Sequence, residues 1–142
     1  MLNLSIGGTE DPLLRELIEA ALAKEMIVIA ASGEGRNRNA FPASMSGVIA
    51  AGLGRSDRIP APMRDVITSA PGERHRFASG SSIATAHVTG IVALLLAENS
   101  SLSGTDVGQA LSDAVHTKNE TRVLDACSAL TAIGADTTAC SP

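Results

Sequence analysis

Aromatic side chains are nearly missing from this chain of 142 residues, which has no tryptophan, no tyrosine and two phenylalanines. Hydrophobic residues still make up 44% of the sequence, so its core must be built from alanine, valine, isoleucine and leucine. Such small and branched side chains suit a buried parallel sheet flanked by closely packed helices. The length is sufficient for one domain with a core of its own.

Positive charge is also scarce, since the formal net charge is −4 at pH 7. The basic stripe that binds nucleic acid is absent, and we expect no nucleic-acid partner. No group of cysteines and histidines has the spacing of a metal site. The pair Gly33-x-Gly35 lacks the third glycine and the following helix of a dinucleotide fingerprint. We therefore expect neither a metal nor a cofactor.

Only two cysteines occur, Cys127 and Cys140, both near the C-terminus. Two cysteines do not make a disulfide framework, so the cellular compartment stays open. A disulfide between them is one alternative, and free thiols are the interpretation we favour.

Neither a signal peptide nor a membrane span is expected. The first residues have no basic segment and no long apolar run. The most apolar stretch, residues 83–97, is shorter than a membrane span and contains His87 and Thr89. It predicts a buried helix.

The first thirty residues predict a strand, a helix and a second strand. Residues 1–5 are an apolar run, and Asp11-Pro12 then begins a helix because Asp is a good N-cap and Pro fits the first helical position. Residues 26–31 are a second apolar run, rich in branched side chains. This order predicts a parallel sheet. After this unit we expect strands at 48–52 and 66–69 and loops at 36–43 and 55–64. We also expect one helix from Ser103 or Thr105 to about 114, another helix at 123–130, and a frayed C-terminal tail.

The most informative segment is GSSIATAHVTG, residues 80–90. The glycine allows a sharp turn, and Ser82 then stands at the start of an apolar helix. Unpaired N–H groups and the positive end of the helix dipole would lie near its hydroxyl. Such a place suits a nucleophile and a developing oxyanion. The alternative is that Ser82 only caps the helix.

This segment closely resembles G-T-S-M-A-T-P-H-V-A-G, the nucleophile motif of the subtilisin-like serine proteases. Eleven matched positions with conservative changes favour the nucleophile over the cap. The resemblance extends over roughly residues 1–130. It includes LNLSIGG at 2–8, which resembles the family's N-x-S-x-G-G, and IAASG at 29–33, which resembles V-A-A-A-G. It also includes residues 65–72 and 77–80, which resemble the segment before the nucleophile, and residues 123–130, which resemble the terminal helix.

The resemblance implies an α/β fold. Residues 1–132 would be the C-terminal part of a subtilisin-like three-layer α/β/α domain, with a mostly parallel sheet and a buried central helix that starts at the nucleophile. Residues 133–142 would be a short polar tail. The implied activity is that of a serine-type endopeptidase, which cleaves a polypeptide substrate through an acyl-enzyme on Ser82.

The resemblance also implies the substrate-binding residues. Ser5, Ile6 and Gly7 would pair with an extended substrate by β-addition. Ala31, Ser32 and Gly33 would form the other wall of the pocket for the residue before the cleaved bond.

The Asp and His motifs of the family, which precede this first strand in other members, do not occur in the 142 residues. A serine hydroxyl is a poor nucleophile without a base. His87 lies five residues beyond Ser82, about 140° around the helix, and cannot face the hydroxyl. His75 in a loop and a solvated His116 are weak substitutes. We expect the chain alone to be inactive, with an N-terminal half supplying Asp and His; the alternative is a non-catalytic remnant or a peptide-binding module.

A second departure concerns the oxyanion. The family places an Asn after the glycine of its A-A-G-N loop, whereas here Glu34 follows Gly33. Either the Asn is deleted or Glu34 stands in its place, where its carboxylate would repel the oxyanion. Asn37 or Asn39 could supply the amide instead.

Overall fold

The computed structural model describes residues 1–33, 40–53, 57–72, 74–118 and 120–140. Its central element is a parallel sheet of three strands, β1 (Leu2–Leu4), β2 (Val28–Ala31) and β3 (Val48–Ala51), with β2 in the middle. Asn3 lies opposite Ile29, and Ala31 lies opposite Ala51. Because the strands are parallel, as predicted, their carboxyl ends meet at one edge of the sheet.

Helix α1 (Pro12–Leu22) connects β1 to β2. The carboxylate of Asp11 accepts a hydrogen bond from the Leu14 N–H at 2.8 Å, and Pro12 occupies the first turn. The cap and the proline therefore act as the sequence predicts. Ile18 is the buried residue of this helix.

Alternate residues of β2 face two separate cores, so the sheet has a helical layer on each side. Val28 packs with Ile18 of α1 in the smaller core. Ile29 packs in the larger core with Val88 and Val92, which belong to helix α2 (Ser81–Glu98). This arrangement is the predicted three-layer α/β/α architecture.

Helix α2 is longer than predicted and is apolar around most of its circumference. The helix has 18 residues with a mean hydropathy of 1.4, so its length and composition alone would allow it to cross a membrane. The 15 residues predicted from the sequence would be too short for a membrane span. Only a third of it is buried. Val88, Val92 and Leu95 pack fully buried in the larger core, as expected for a core helix, whereas Leu94 is 49% exposed.

An antiparallel hairpin precedes α2. It pairs β4 (Val66–Ala70) with β5 (Arg74–Ala78), and Ile67 lies opposite Phe77. The sequence predicts β4 but not β5, because Arg74-His75-Arg76 has no apolar alternation.

The C-terminal part differs most from its prediction. Helix α3 (Gly104–Asp113) begins as expected, with a capping box between Ser103 and Asp106. A second hairpin then follows, made of β6 (Val115–Lys118) and β7 (Thr121–Leu124). The helix predicted at 123–130 is instead α4 (Ala126–Ala132), which begins after β7 and is capped by Asp125.

The two cysteines form a disulfide, so the expectation of free thiols is wrong. The Cα atoms of Cys127 and Cys140 are 5.8 Å apart. A short 3₁₀ turn at Thr138–Cys140 carries the second cysteine. The tail is thus bonded to α4 up to residue 140 and is not frayed there.

The two predicted loops are partly described. In the first, residues 36–39 lie outside the described residues, and Phe41 forms a bridge with Gly8. In the second, residues 55 and 56 are likewise outside, and Ile59 forms a bridge with Ala51.

Candidate active site

A glycine turn places Ser82 at the start of α2. Gly80 is the N-cap residue, with φ 146° and ψ 153°, a backbone conformation that favours glycine. Its N–H donates to the Met63 carbonyl at 2.8 Å, and its carbonyl accepts from the Ile83 N–H at 2.9 Å. Since the cap is Gly80, the alternative in which Ser82 caps the helix is wrong.

The two serines of the turn point to different sides. Ser81 is 7% exposed, and its carbonyl accepts a hydrogen bond from Thr85 Oγ1 at 2.8 Å. Successive helical residues are rotated by about 100°, so the burial of Ser81 turns Ser82 outward. Ser82 is exposed.

Ser82 meets the end of β1 through a hydrogen bond, in which its Oγ donates to the Ser5 carbonyl at 3.1 Å. Ser5 Oγ lies 3.4 Å from the Ser82 carbonyl, but its single proton goes to the nearer acceptor, Asn3 Oδ1 at 2.8 Å. Ser5 directly follows the last residue of β1. The carboxyl end of the strand and the amino end of the helix are therefore joined at this point.

A pocket of about 230 Å³ opens between these elements. Its described lining consists of Ser5, Ile6, Gly7, Ala31, Gly33, Ala40, Ser81 and Ser82. Two chain segments that are distant in sequence, at the carboxyl ends of β1 and β2, therefore form its walls beside Ser82.

Ser32 is the one predicted wall residue whose side chain lies apart from this pocket. It is 1% exposed and lines a different cavity of about 300 Å³ with Asp57 and Arg58. Successive side chains along a strand point to opposite sides, which separates Ser32 from its neighbours Ala31 and Gly33.

The described lining of the pocket contains no ionisable side chain. The electrostatic influence that remains is the amino end of an 18-residue helix, which favours negative charge. Glu34, Asn37 and Asn39 lie outside the described residues, so their roles at the oxyanion stay predictions.

A family model described as the subtilase family (peptidase S8) matches residues 1–129. The chain belongs to the subtilase family. It is 31% identical to an intracellular serine protease of Paenibacillus polymyxa, in a match that covers 67% of this chain and 35% of that protein. It is 28% identical to subtilisin DY of Bacillus licheniformis, where the corresponding shares are 79% and 48%.

Solved subtilisin-like structures share this fold. The structure of the prenylagaramide maturation protease PagA matches 92% of this chain and 61% of its own, with a TM-score of 0.73 and 22% identity. The self-cleaved protease domain of PatA matches 95% and 63%, with a TM-score of 0.75 and 22% identity. The chain thus spans about a third to a half of these two curated relatives and over half of the structural neighbours.

The three histidines of this subtilase chain lie away from the described lining of the pocket. His87 Nδ1 is 2.9 Å from the Ile83 carbonyl, so its ring bonds back to its own helix. His75 is on β5, opposite Ser69. His116 is exposed on β6, but its Nε2 is also 2.9 Å from Ser128 Oγ. None of the three lines the described pocket beside Ser82.

Three residues at this subtilase pocket have no role in the sequence-based interpretation. Ala40 and Ser81 line it. Asn3 is bonded to one of the lining residues, since its Oδ1 accepts from Ser5 Oγ at 2.8 Å, and its Nδ2 donates to Thr89 Oγ1 at 2.8 Å. The N-x-S motif points to Asn3, but no local pattern indicates its partner, which is 86 positions away.

Proposed function

We propose that this chain carries the nucleophile of a serine-type endopeptidase, with Ser82 as the attacking residue. In this reaction Ser82 Oγ adds to the carbonyl carbon of a peptide bond while a base takes its proton. The amine then leaves with that proton, and water hydrolyses the acyl-enzyme. The observation that carries the proposal is an exposed serine hydroxyl at the amino end of a long helix, beside a pocket.

The proposed substrate is an extended polypeptide. Among the described strands, β1 pairs on one side only, with β2. The backbone of Ser5, Ile6 and Gly7 continues that edge and would form main-chain hydrogen bonds with the substrate. The pocket between this edge and the segment at Ala31 and Gly33 would receive the side chain before the cleaved bond.

Stabilisation of the oxyanion is assigned to the Ser82 N–H and the amino end of α2. Backbone donors at a helix terminus are oriented before the reaction and favour a developing negative charge. Glu34 would work against this if its carboxylate lay at the same place.

We propose that the catalytic base and acid come from outside these 142 residues. The described pocket lining offers no ionisable group, and the three histidines lie elsewhere. We therefore propose that an N-terminal subtilase half supplies Asp and His, and that the 142-residue chain is inactive by itself.

A non-catalytic peptide-binding module is the second candidate. It is favoured by the hydrogen bond from Ser82 Oγ to the Ser5 carbonyl, because the hydroxyl donates its proton to the main chain. Such a module would use the β1 edge and the pocket without forming an acyl-enzyme.

Labelling with a fluorophosphonate probe separates the two candidates. The chain is tested alone and after joining to the Asp- and His-bearing part of a subtilase relative, each followed by mass spectrometry. We expect no labelling of the chain alone and labelling of Ser82 in the joined protein. Ser82→Ala should abolish the labelling, whereas Ser100→Ala, an exposed serine in the turn after α2, should preserve it.

Two outcomes would contradict the proposal in different ways. Labelling of Ser82 in the chain alone would show that this serine reacts without a base from an N-terminal half. A joined protein that melts cooperatively but stays unlabelled would favour the peptide-binding module.

A further inference from the structure

A series of side-chain hydrogen bonds runs from the middle of α2 to the substrate-binding edge. Thr89 Oγ1 donates to the Thr85 carbonyl at 2.8 Å, and the same oxygen accepts from Asn3 Nδ2 at 2.8 Å. Asn3 Oδ1 accepts from Ser5 Oγ at 2.8 Å. The series ends beside Ser82, whose Oγ donates to the Ser5 carbonyl.

Thr89 and Ser82 share one face of α2. They are seven residues apart, which is nearly two full turns. The contact between Asn3 and Thr89 therefore attaches β1 to the same helical face that presents the serine hydroxyl. The end of β1 is also held by the hydrogen bond from Ser82 to Ser5 and by the bridge between Gly8 and Phe41, but Asn3 is the residue of β1 whose side chain bonds to both Thr89 and Ser5.

We propose that Asn3 is a positioning residue that sets the placement of the Ser5–Gly7 edge relative to Ser82. The inference rests on the proposed function of Ser82 and of this edge. An amide side chain is required because it must donate to Thr89 and accept from Ser5 with one planar group. Aspartate offers only acceptors at neutral pH, and leucine offers neither function.

The exposure of Asn3 distinguishes positioning from general stabilisation. The Asn3 side chain is exposed, and its two hydrogen bonds compete with water. Exposed hydrogen bonds contribute little to global stability. Their loss should therefore alter the local opening of the strand end more than the melting temperature.

Amide hydrogen exchange of the 142-residue chain tests this without any catalysis. Thr89→Val removes the acceptor for Asn3 and should raise the exchange rate of the Gly8 amide, which donates to the Phe41 carbonyl at 3.0 Å, roughly three- to ten-fold. Thr89→Ser keeps the hydroxyl and should restore wild-type rates. Thr131→Val is the matched control, because Thr131 Oγ1 makes the same bond to the carbonyl four residues earlier, at 2.9 Å from Cys127 O.

The same variants are then compared in the joined protein described above. Thr89→Val and Asn3→Asp should slow fluorophosphonate labelling of Ser82 by roughly three- to ten-fold with little change in melting temperature. Thr89→Ser and Thr131→Val should label at the wild-type rate. Equal labelling of all variants, or unchanged exchange of the Gly8 amide, would overturn the positioning role. Failure of the wild type to label would instead contradict the proposed function, and the exchange rates would still decide whether Asn3 positions the edge.

Discussion

Ser82 Oγ and the Ser5 main-chain oxygen are 3.1 Å apart and share a hydrogen bond, although 77 positions separate the two residues. The hydroxyl donates and the carbonyl accepts. The contact therefore holds the carboxyl end of β1 against the amino end of α2.

The first prediction concerns Gly52, which follows β3. A Cβ at this position would overlap with Ser32 Oγ, whose side chain is buried, and would lie 3.9 Å from Ser81 Cβ. The φ angle of +153° is also one that other residues rarely adopt. We expect Gly52→Ala to lower the free energy of unfolding by about 2–4 kcal/mol, as measured by urea denaturation.

Gly90→Ala is the matched control for this substitution. Gly90 lies inside α2, and a Cβ there would meet nothing within 4 Å. Alanine is the better helix former, so this variant should be more stable by about 0.5–1 kcal/mol. Equal stability of the two variants would show that Ser32 and Ser81 do not pack against Gly52 as described.

The sequence predicts the elements that combine local pattern with burial. Apolar runs near Asn3 and Ile29 indicate parallel strands, and the structure pairs these two residues. The motif resemblance names Ser5, Ala31 and Ser82, and the structure brings them to one pocket. Their catalytic and binding roles stay predictions.

Features that depend on contacts between distant residues could not be predicted. No local pattern connects Asn3 with Thr89. The strand β5 carries charged residues on an exposed surface, so the alternation that identifies a half-buried strand is missing. The disulfide depends on the separation of Cys127 and Cys140 in space, which only the fold determines.

The second prediction is that the purified chain contains no reactive thiol before reduction. Cys127 and Cys140 should resist alkylation in denaturant, and reduction should raise the mass by that of two hydrogens. The disulfide joins residues 13 positions apart, and closing a loop of this size stabilises a protein by about 3 kcal/mol in the chain-entropy model. Because the loop holds only the C-terminal segment, we expect Cys140→Ser to cost about 1–3 kcal/mol. Alkylation of both cysteines without reductant would contradict the disulfide.

The third prediction concerns the pH dependence of stability at Asp125, the N-cap of α4. A hydrogen bond from the Ser128 N–H, then one from the Ser128 hydroxyl, and the charge of His116 lower the pKa of Asp125. The unfolded value is about 3.9, so the lowered pKa stabilises the fold above that pH. The contribution is lost as the pH falls through the pKa of the folded state.

Asp125→Asn tests this because it retains a capping oxygen but does not titrate. At pH 7 it should be less stable than the wild type by roughly 0.3–1 kcal/mol, and the difference should disappear once the pH is below the pKa of the folded state. Asp125→Ala removes the cap itself and should cost about 1 kcal/mol at pH 7. Thermal melts of the three proteins between pH 2 and 7 (roughly the range in which carboxylates titrate) provide the measurement. A pH-independent gap between wild type and Asp125→Asn would exclude the charge as the cause.

The fourth prediction concerns the exposed side of α2. Leu94 is 49% exposed and shares this side with Gly90 and three alanines. The proposed N-terminal half would cover this surface. Without that half, exposed apolar area should drive self-association. Sedimentation velocity should show the wild-type chain associating as its concentration rises.

Leu94→Glu should weaken this association because it places a charge at the centre of the apolar surface. Leu13→Glu is the control, since Leu13 is 66% exposed on α1, in the opposite layer of the sheet. If α2 is the contact surface, only Leu94→Glu should shift the sedimentation distribution toward monomer. Only Leu94→Glu should then also destabilise the joined protein. A wild-type chain that stays monomeric at high concentration, or equal effects of both variants, would mean that α2 is not the surface through which this chain associates.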